Sequence, residues 1–450
     1  MTQSQLGRHA VVIGAGIGGL SAACALADHF EQVSVLERDD LAPTAGPRAG
    51  TPQGRHVHAL LAGGLQALRE LFPGIEDDLR QAGAVPLRGA LDVRVERPGF
   101  DPFPVRDLGV LTYSMSRPII EFTLRQRVQR LPNVSLRPSC RVLDLVAGAD
   151  GASVTGVRCE EGGAATRRLS ADLVVDASGR GTPTLGWFEA MGRPAPPETH
   201  IGVDIGYASA VFEMPAGPDA DWKGVMTFPK APQSSRGALM LPLEGRCWMV
   251  SLGGRGGDKP PGDEAGFLEY ARGLRTRTIH DAIDGARRVG DIARFAFPSS
   301  MRRHFEQLPA LPRGLLPLGD VICRFNPVYG QGMSVAAQEG ALLRRLLAEA
   351  VHAPDPLQRV GADFIEGVQA LLETPWAMAA IPDFIFPETT GPRPPDLERN
   401  LRFGSALLHL AAKRPEVHKL MVEVQHLLKP RSVYRNPVLM ARVMVEMAKL

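Results

Sequence analysis

Residues 10–37 read AVVIGAGIGGLSAACALADHFEQVSVLE, and this stretch decides the fold. Ala10–Ile13 is a short apolar run of the kind that forms a strand buried in a parallel sheet. Gly14, Gly16 and Gly19 follow at once in a GxGxxG pattern. Leu20 to His29 is small and apolar, as in a helix packed closely on a sheet, and Val33–Leu36 is a second buried strand ending at Glu37. In such a strand–turn–helix–strand unit the first glycine allows the tight turn, the second lets the backbone approach a pyrophosphate, and the third lets helix and strand pack. The helix N-terminal amides then face the phosphates. Glu37, 23 residues after Gly14, stands where a carboxylate accepts hydrogen bonds from the hydroxyls of an adenosine ribose. An acid there disfavours a 2′-phosphate, so the expected dinucleotide is NAD or FAD and not NADP.

A second stretch, LLPLGDVICRFNPVYGQGMSVAAQEG at 315–340, repeats the logic further along the chain. A short apolar strand ends in Gly319-Asp320, and a loop with Pro327, Gly330 and Gly332 opens a helix expected to reach His352. Between the two stretches, 42–58 reads as a long loop and 59–72 as a helix stopped by Pro73-Gly74. The alternating, proline-bearing 85–105 suggests edge strands, and Pro118 suits the first turn of a helix running to Arg130. Strands are expected near 134–136, 141–146 and 173–175, the last closed by Asp176-Ala-Ser-Gly-Arg. Residues 200–255 are strand-rich, with Glu244-Gly245 as a hairpin turn, and a helix is expected over 263–275. From 361 onward the pattern is helical, broken by a proline-rich loop at 382–396, with helices expected over 400–428 and 437–449.

The 450 residues allow two or three domains, and 44% hydrophobic with 22% charged residues is ordinary for a globular protein. A net charge of +2 and 6% aromatic residues argue against a nucleic-acid partner. The five cysteines (Cys24, Cys140, Cys159, Cys247 and Cys323) share no CxxC spacing, which argues against a disulfide framework or a zinc site and for a reducing cytoplasm. The N-terminus has no signal-peptide architecture, and no run of 18 apolar residues suggests a membrane-spanning helix.

The two glycine stretches together resemble the class A flavin monooxygenases, the para-hydroxybenzoate hydroxylase fold, over roughly residues 8–360. The resemblance implies an α/β protein: a Rossmann-like FAD-binding domain with an inserted β-rich substrate domain and a C-terminal helical region. It places 1–84, 106–181 and 291–360 in the FAD-binding domain, 85–105 and 182–290 in the substrate domain, and 361–450 in the helical region. It implies noncovalent FAD. Asp320 of Gly319-Asp320 would hold the ribityl chain, and Pro327, Gly330, Gly332 and Met333 would lie against the flavin pyrimidine edge. A helix N-terminus there would stabilise the negative charge of a reduced flavin. Arg117 matches an arginine that reaches the cofactor, and Val142 sits where adenine is met by backbone. Ile17 and Gly18 in the glycine turn, and Arg38 beside the acid, complete the cofactor set. Asp176-Ala-Ser-Gly179-Arg180 departs from the family's Asp-Gly and looks more like the Asp-Ala-Ser-Gly of halogenases and geranylgeranyl reductases.

Gln53-Gly-Arg-His-Val-His-Ala-Leu-Leu, with Phe325-Asn-Pro-Val-Tyr-Gly-Gln-Gly, looks most like bacterial FAD-dependent epoxidases of polyketide polyenes and polyethers, and more distantly like squalene epoxidase. His56 and His58 would share a face if this segment is a strand, and are the catalytic candidates. Hydrogen-bonded structural histidines are the alternative, and a metal site lacks a third ligand. Arg55 could contact a flavin phosphate. Apolar residues of 200–255, among them Ile201, Tyr207, Val225 and Met240, could face a hydrophobic substrate or form a core.

The function expected is that of a monooxygenase inserting one oxygen atom from O2 through a flavin C4a-hydroperoxide, most simply an alkene epoxidation in polyketide antibiotic biosynthesis. NAD(P)H docking transiently, or a partner flavin reductase, would supply electrons. An aromatic hydroxylase of the same fold, a flavin-dependent reductase of isoprenoid chains, a halogenase and a redox-silent dinucleotide-binding protein are the rivals. The halogenase reading is disfavoured because the Trp-x-Trp-x-Ile-Pro motif is missing and no lysine precedes position 223.

Overall fold

The computed structural model describes residues 5–215 and 220–450. The opening run folds as the strand Gly7–Ile13, the helix Ile17–Ala27 and the strand Phe30–Leu36. The strands Leu315–Pro317, Leu173–Asp176, Gly7–Ile13, Phe30–Leu36 and Val134–Arg137 lie in that order in one five-stranded parallel sheet. Ala10, Val11 and Val12 are wholly buried in its centre, the burial that makes an unbroken apolar run favourable in a parallel strand. The helix Ile17–Ala27 owes its small residues to a close neighbour: a methyl on Gly340 of the helix Gly332–Ala350 would fall 2.5 Å from Ser21 Cβ. The result is a Rossmann-like α/β core.

A seven-stranded sheet stands apart from this core, in the order Cys323–Arg324, Arg288–Arg303, Glu198–Glu213, Cys247–Arg255, Gly237–Leu243, Gly224–Thr227, Val93–Glu96. Its pairings are antiparallel except the last. Period-two alternation separates its faces. Ala208, Ala210, Phe212, Val225, Met240, Val250 and Leu252 form a core with Phe267 of the helix Glu264–Arg272. Tyr207, Ser209, Ser251 and Phe295 belong to the other face, with Tyr207 opposite Phe295 and Ser209 opposite Ser251. Of the apolar residues that could have faced a substrate, Val225 and Met240 are therefore core.

Several expectations shift at their edges. Val85–Arg88 pairs with Leu111–Ser114 and leaves only Val93–Glu96 to join the large sheet. Residues 291–303 run in the large sheet, so we place the boundary of the nucleotide-binding part nearer 304 than 291. The helix Ala62–Leu71 begins three residues later than 59, after the 3-10 turn Pro52–Arg55. Leu111–Ser114 and Arg288–Arg303 carried no strand expectation, nor did Val154–Glu161 and Arg167–Ser170, which form an antiparallel sheet with Cys140–Ala147. The charged, glycine-rich sequence of that last pair hides a half-buried strand in which only Val154, Gly156, Val157 and Cys159 are buried.

The C-terminal region folds as the helices Pro356–Asp383, Leu397–Lys413, Pro415–Gln425 and Pro437–Met447. The single helix expected over 400–428 is split at Arg414, because Pro415 cannot continue the preceding ladder. Leu407, Leu410, Met421, Val424, Leu439 and Val443 form a core of their own with Phe103. Among the described residues no helix is long and apolar enough to cross a membrane, and the five cysteines are free thiols.

Candidate active site

The Gly14–Gly19 turn is built by the absence of side chains. Gly14 has φ of +98°, and a Cβ there would lie 2.7 Å from the Ala177 carbonyl oxygen. A Cβ on Gly19 would fall 1.9 Å from the Gly14 carbonyl oxygen, and one on Gly18 would fall 2.7 Å from Leu318 Cδ2. Gly16 differs, since a Cβ there meets nothing within 4 Å. Ile17 is buried beneath the turn. Glu37 closes the turn from the next strand: its carboxylate accepts the Ala15 N–H at 2.8 Å and the Asp39 N–H at 3.0 Å.

A residue the sequence reading missed completes this end. Arg48, from the 42–58 loop, lies 3.1 Å from the Glu37 carboxylate and 2.9 Å from that of Glu121. Arg117 donates to the other oxygen of Glu121 at 2.9 Å. Burial opposes the charge of Arg48, but Glu121 and Glu37 outweigh it and hold its pKa above the ordinary value. Burial likewise opposes the charge of Glu121, and the Arg117 and Arg48 guanidiniums hold it below the carboxylate range. Loop composition carried no signal for Arg48, whose partners are distant in sequence. Arg38 and Arg55 are exposed. Val142 sits half-buried in the strand Cys140–Ala147, opposite Cys159.

The second stretch faces the same region. The Asp176-Ala-Ser-Gly loop packs against the Gly319–Val321 turn, with a Gly179 Cβ only 4.0 Å from Asp320 Cβ. Asp320 is reached by solvent yet lies deep in the fold. Burial raises its pKa, opposed by the charges of Arg117, Arg324 and Arg180. Asp176 has a different task. Its two oxygens accept from Ser178 N and Oγ, Thr182 Oγ1, and Thr184 N and Oγ1 at 2.6–3.2 Å, which spends the carboxylate on shaping its own loop.

Gly319 donates its N–H to Glu339 Oε2 at 2.6 Å. Glu339 is wholly buried, its other oxygen has no partner among the described residues, and burial pushes its pKa up to about 8. Further along, Pro327–Tyr329 makes a 3-10 turn, Gly330 takes φ of +65°, and Gly332 starts the long helix with Met333 buried behind it. Gln331 is 1% exposed and neither atom of its amide has a partner among the described residues.

These features pass a test for FAD. A Cβ on Gly16, Gly319 or Gly332 would enter open space, so the backbone at each of these positions is bare. The orphaned Gln331 amide and the accessible Asp320 carboxylate supply donors and acceptors there, which buried polar groups require.

His56 and His58 do not lie on a strand. They follow the Pro52–Arg55 turn in a segment without sheet pairing, which removes the shared-face argument. His56 Nδ1 is 2.7 Å from Ser209 Oγ, and Ser251 Oγ accepts the Val57 N–H at 3.1 Å, so the segment is pinned to the large sheet. The His56 ring stands 5.6 Å from Phe295 and 6.2 Å from Tyr207. Burial pushes its pKa down to about 4. His58 Nδ1 donates to the His56 carbonyl at 2.9 Å. Burial, then the charge of Arg117, push its pKa down to about 3. Both imidazoles are neutral near pH 7. Arg180 and Arg324 lie over Phe295 and Phe297, each 5.6 Å from the ring centroid.

The fold and this glycine-lined site define a dinucleotide-binding protein with the architecture of flavin-dependent oxidoreductases. A family profile described as FAD binding domain matches residues 8–357, and the chain belongs to that family. Protein Rv3254 of Mycobacterium tuberculosis (strain ATCC 25618 / H37Rv) is 35% identical over 353 residues, 75% of this chain and 73% of that protein. The fold is similar to that of the flavin-dependent brominase Bmp2, with a TM-score of 0.69 at 15% identity, covering 96% of this chain and 98% of that one. It is also similar to PqsL of Pseudomonas aeruginosa, described as "a probable FAD-dependent monooxygenase", with a TM-score of 0.59 at 16% identity, covering 83% of this chain and 96% of that one.

Proposed function

We propose that this protein is an FAD-dependent monooxygenase that inserts one oxygen atom from O2 into a hydrophobic substrate, and that the reaction is alkene epoxidation in polyketide biosynthesis. In this reading Gly16 lets the backbone approach the pyrophosphate while Gly14 and Gly19 shape the turn and its packing, Glu37 holds the ribose, Asp320 the ribityl chain, and Gly330–Gly332 the pyrimidine edge. Bound FAD supplies oxygen activation, for which side chains have no equivalent. The chain's own part is to orient the substrate and exclude water, and the aromatic wall of Tyr207, Phe295 and His56 suits that task.

One observation carries epoxidation over phenol hydroxylation: the polar groups of that wall are already committed. A base that activates a phenol works best with a pKa near the working pH. His56 is tied to Ser209 and stands at about 4, and His58 stands at about 3. The Tyr207 hydroxyl donates to Asn326 Oδ1 at 3.1 Å. An alkene needs no such base. Electrons come from NAD(P)H docking transiently or from a partner reductase.

The test uses purified protein loaded with FAD. Reduction by NADH or NADPH is followed at the flavin band, then polyene substrates are offered under labelled oxygen. One labelled oxygen atom in an epoxide product is expected. A phenolic or halogenated product, or a saturated chain without label, would overturn the assignment.

A further inference from the structure

The helix Pro356–Asp383 ends on a residue whose partners all lie elsewhere in the chain. Asp383 is wholly buried. Its carboxylate accepts from Asn326 Nδ2 through both oxygens at 3.1 Å and from the Tyr329 hydroxyl at 3.0 Å, and it pairs with the Arg255 guanidinium. Arg255 is itself fixed: it donates to the Val203 carbonyl at 3.3 Å and lies over Phe386 at 4.3 Å. The Thr389 hydroxyl donates to the Asp383 carbonyl at 2.6 Å and ties the following loop to the same point.

Asn326 passes the constraint on. Its Oδ1 accepts the Val328 N–H at 3.2 Å and the Tyr207 hydroxyl at 3.1 Å. With Nδ2 committed to Asp383, the amide has one orientation. Asn326 and Tyr329 thus bracket Pro327-Val328, the turn that leads into Gly330, Gln331 and Gly332. Burial raises the pKa of Asp383 against the pull of Arg255, Asn326 and Tyr329, and burial also holds the Tyr329 and Tyr207 hydroxyls protonated as donors. A buried ion pair seldom adds net stability over an apolar substitute, because desolvation cancels its attraction. What it does here is set a position.

We propose that Asp383, backed by Arg255, is a positioning residue for the Asn326–Gly332 loop, so that the C-terminal helical region forms part of the cofactor site and is more than its cover. This rests on the placement of FAD against that loop and not on the identity of the substrate.

The test compares Tyr329→Phe and Asp383→Asn with the wild type in the full chain. Tyr329→Phe removes one hydroxyl and should stay folded, with a modest fall in melting temperature. Loss of one hydrogen bond to a charged group should weaken FAD about tenfold and move the visible flavin band and its midpoint potential. In FAD-free protein, amide exchange should quicken within 326–333 while residues 198–255 keep their protection. Asp383→Asn should do the same more strongly; should it fail to fold, Tyr329→Phe decides alone. Wild-type FAD affinity, spectrum and exchange in Tyr329→Phe would overturn the proposal, and so would faster exchange spread through the large sheet. A wild type that takes up no FAD would refute the cofactor reading, while the exchange comparison would still decide the positioning role.

Discussion

Two turns of this protein face the same cofactor reading and are built by opposite means. The Gly14–Gly19 turn holds its shape because Gly14 and Gly19 could not take a side chain without striking backbone. The Asn326–Tyr329 turn holds its shape because Arg255, Asp383 and Tyr207 bring side chains to it from the large sheet and the C-terminal helix. A turn made by exclusion tolerates almost no substitution and fails abruptly. A turn made by hydrogen bonds from remote elements can be loosened one bond at a time. The contrast between them can be tested in order of expected effect.

The largest effect belongs to Gly19→Val. A Cβ at 1.9 Å from a carbonyl oxygen forces the backbone apart, and the cost should exceed ~4 kcal/mol, in the range where folding itself is lost. Thermal melts and flavin content measure it; a folded, yellow Gly19→Val protein would break the account of that turn. Next comes Glu37→Ala, which removes the proposed ribose acceptor and one carboxylate partner of Arg48. The FAD dissociation constant should rise roughly 10- to 100-fold, as for lost hydrogen bonds to a charged group. Calorimetric titration would show it, and Arg48→Ala should give the same direction with a smaller change, since Glu37 keeps its two backbone donors.

A subtler difference is in pH. Burial raises Glu339 from 4.5 to about 8, so the folded protein keeps a proton that the unfolded chain gives up. The stability this contributes is present below pH 4.5 and is lost as pH rises through about 8. His56 and His58 act in the other direction, costing stability as pH falls below 6.5, because the unfolded chain protonates and the buried rings do not. Melts of Glu339→Gln between pH 4.5 and about 8 should therefore decline less steeply than those of the wild type. An identical decline would mean that Glu339 is already ionised where it bonds Gly319.

The smallest effect on cofactor retention is expected for His58→Ala. Its imidazole is neutral and its Nδ1 bond goes to the backbone of its own segment. FAD affinity should stay within about twofold, the usual range for changes away from critical contacts. Product formed per NAD(P)H consumed should fall and hydrogen peroxide rise, because the cavity left beside His56 admits water and misplaces the substrate. Lost FAD binding would make His58 structural, and unchanged coupling would remove it from the substrate wall.

The glycine turn, its closing acid and the Gly319-Asp320 turn were readable from residues alone. The two turns rest on backbone geometry set within a few residues that favours glycine, and the acid is marked by its place at the end of the second strand. The alternation of 200–255 likewise announced a sheet, though not which face would meet the site; that face depends on the helix Glu264–Arg272 covering the other one. The two histidines were legible as residues and misleading as geometry, because the Pro52–Arg55 turn takes them off any strand. Arg48, Ser209, Arg255, Asn326, Glu339 and Asp383 carried no local mark. What the sequence by itself determined is the dinucleotide turn and the α/β class, since both follow from short-range sterics and periodic burial. What only the tertiary structure decided is the company those turns keep. Asp383 meets Asn326 across 57 residues and Arg255 across 128, and a hydrogen bond spanning such a separation depends on where helices and sheets come to rest.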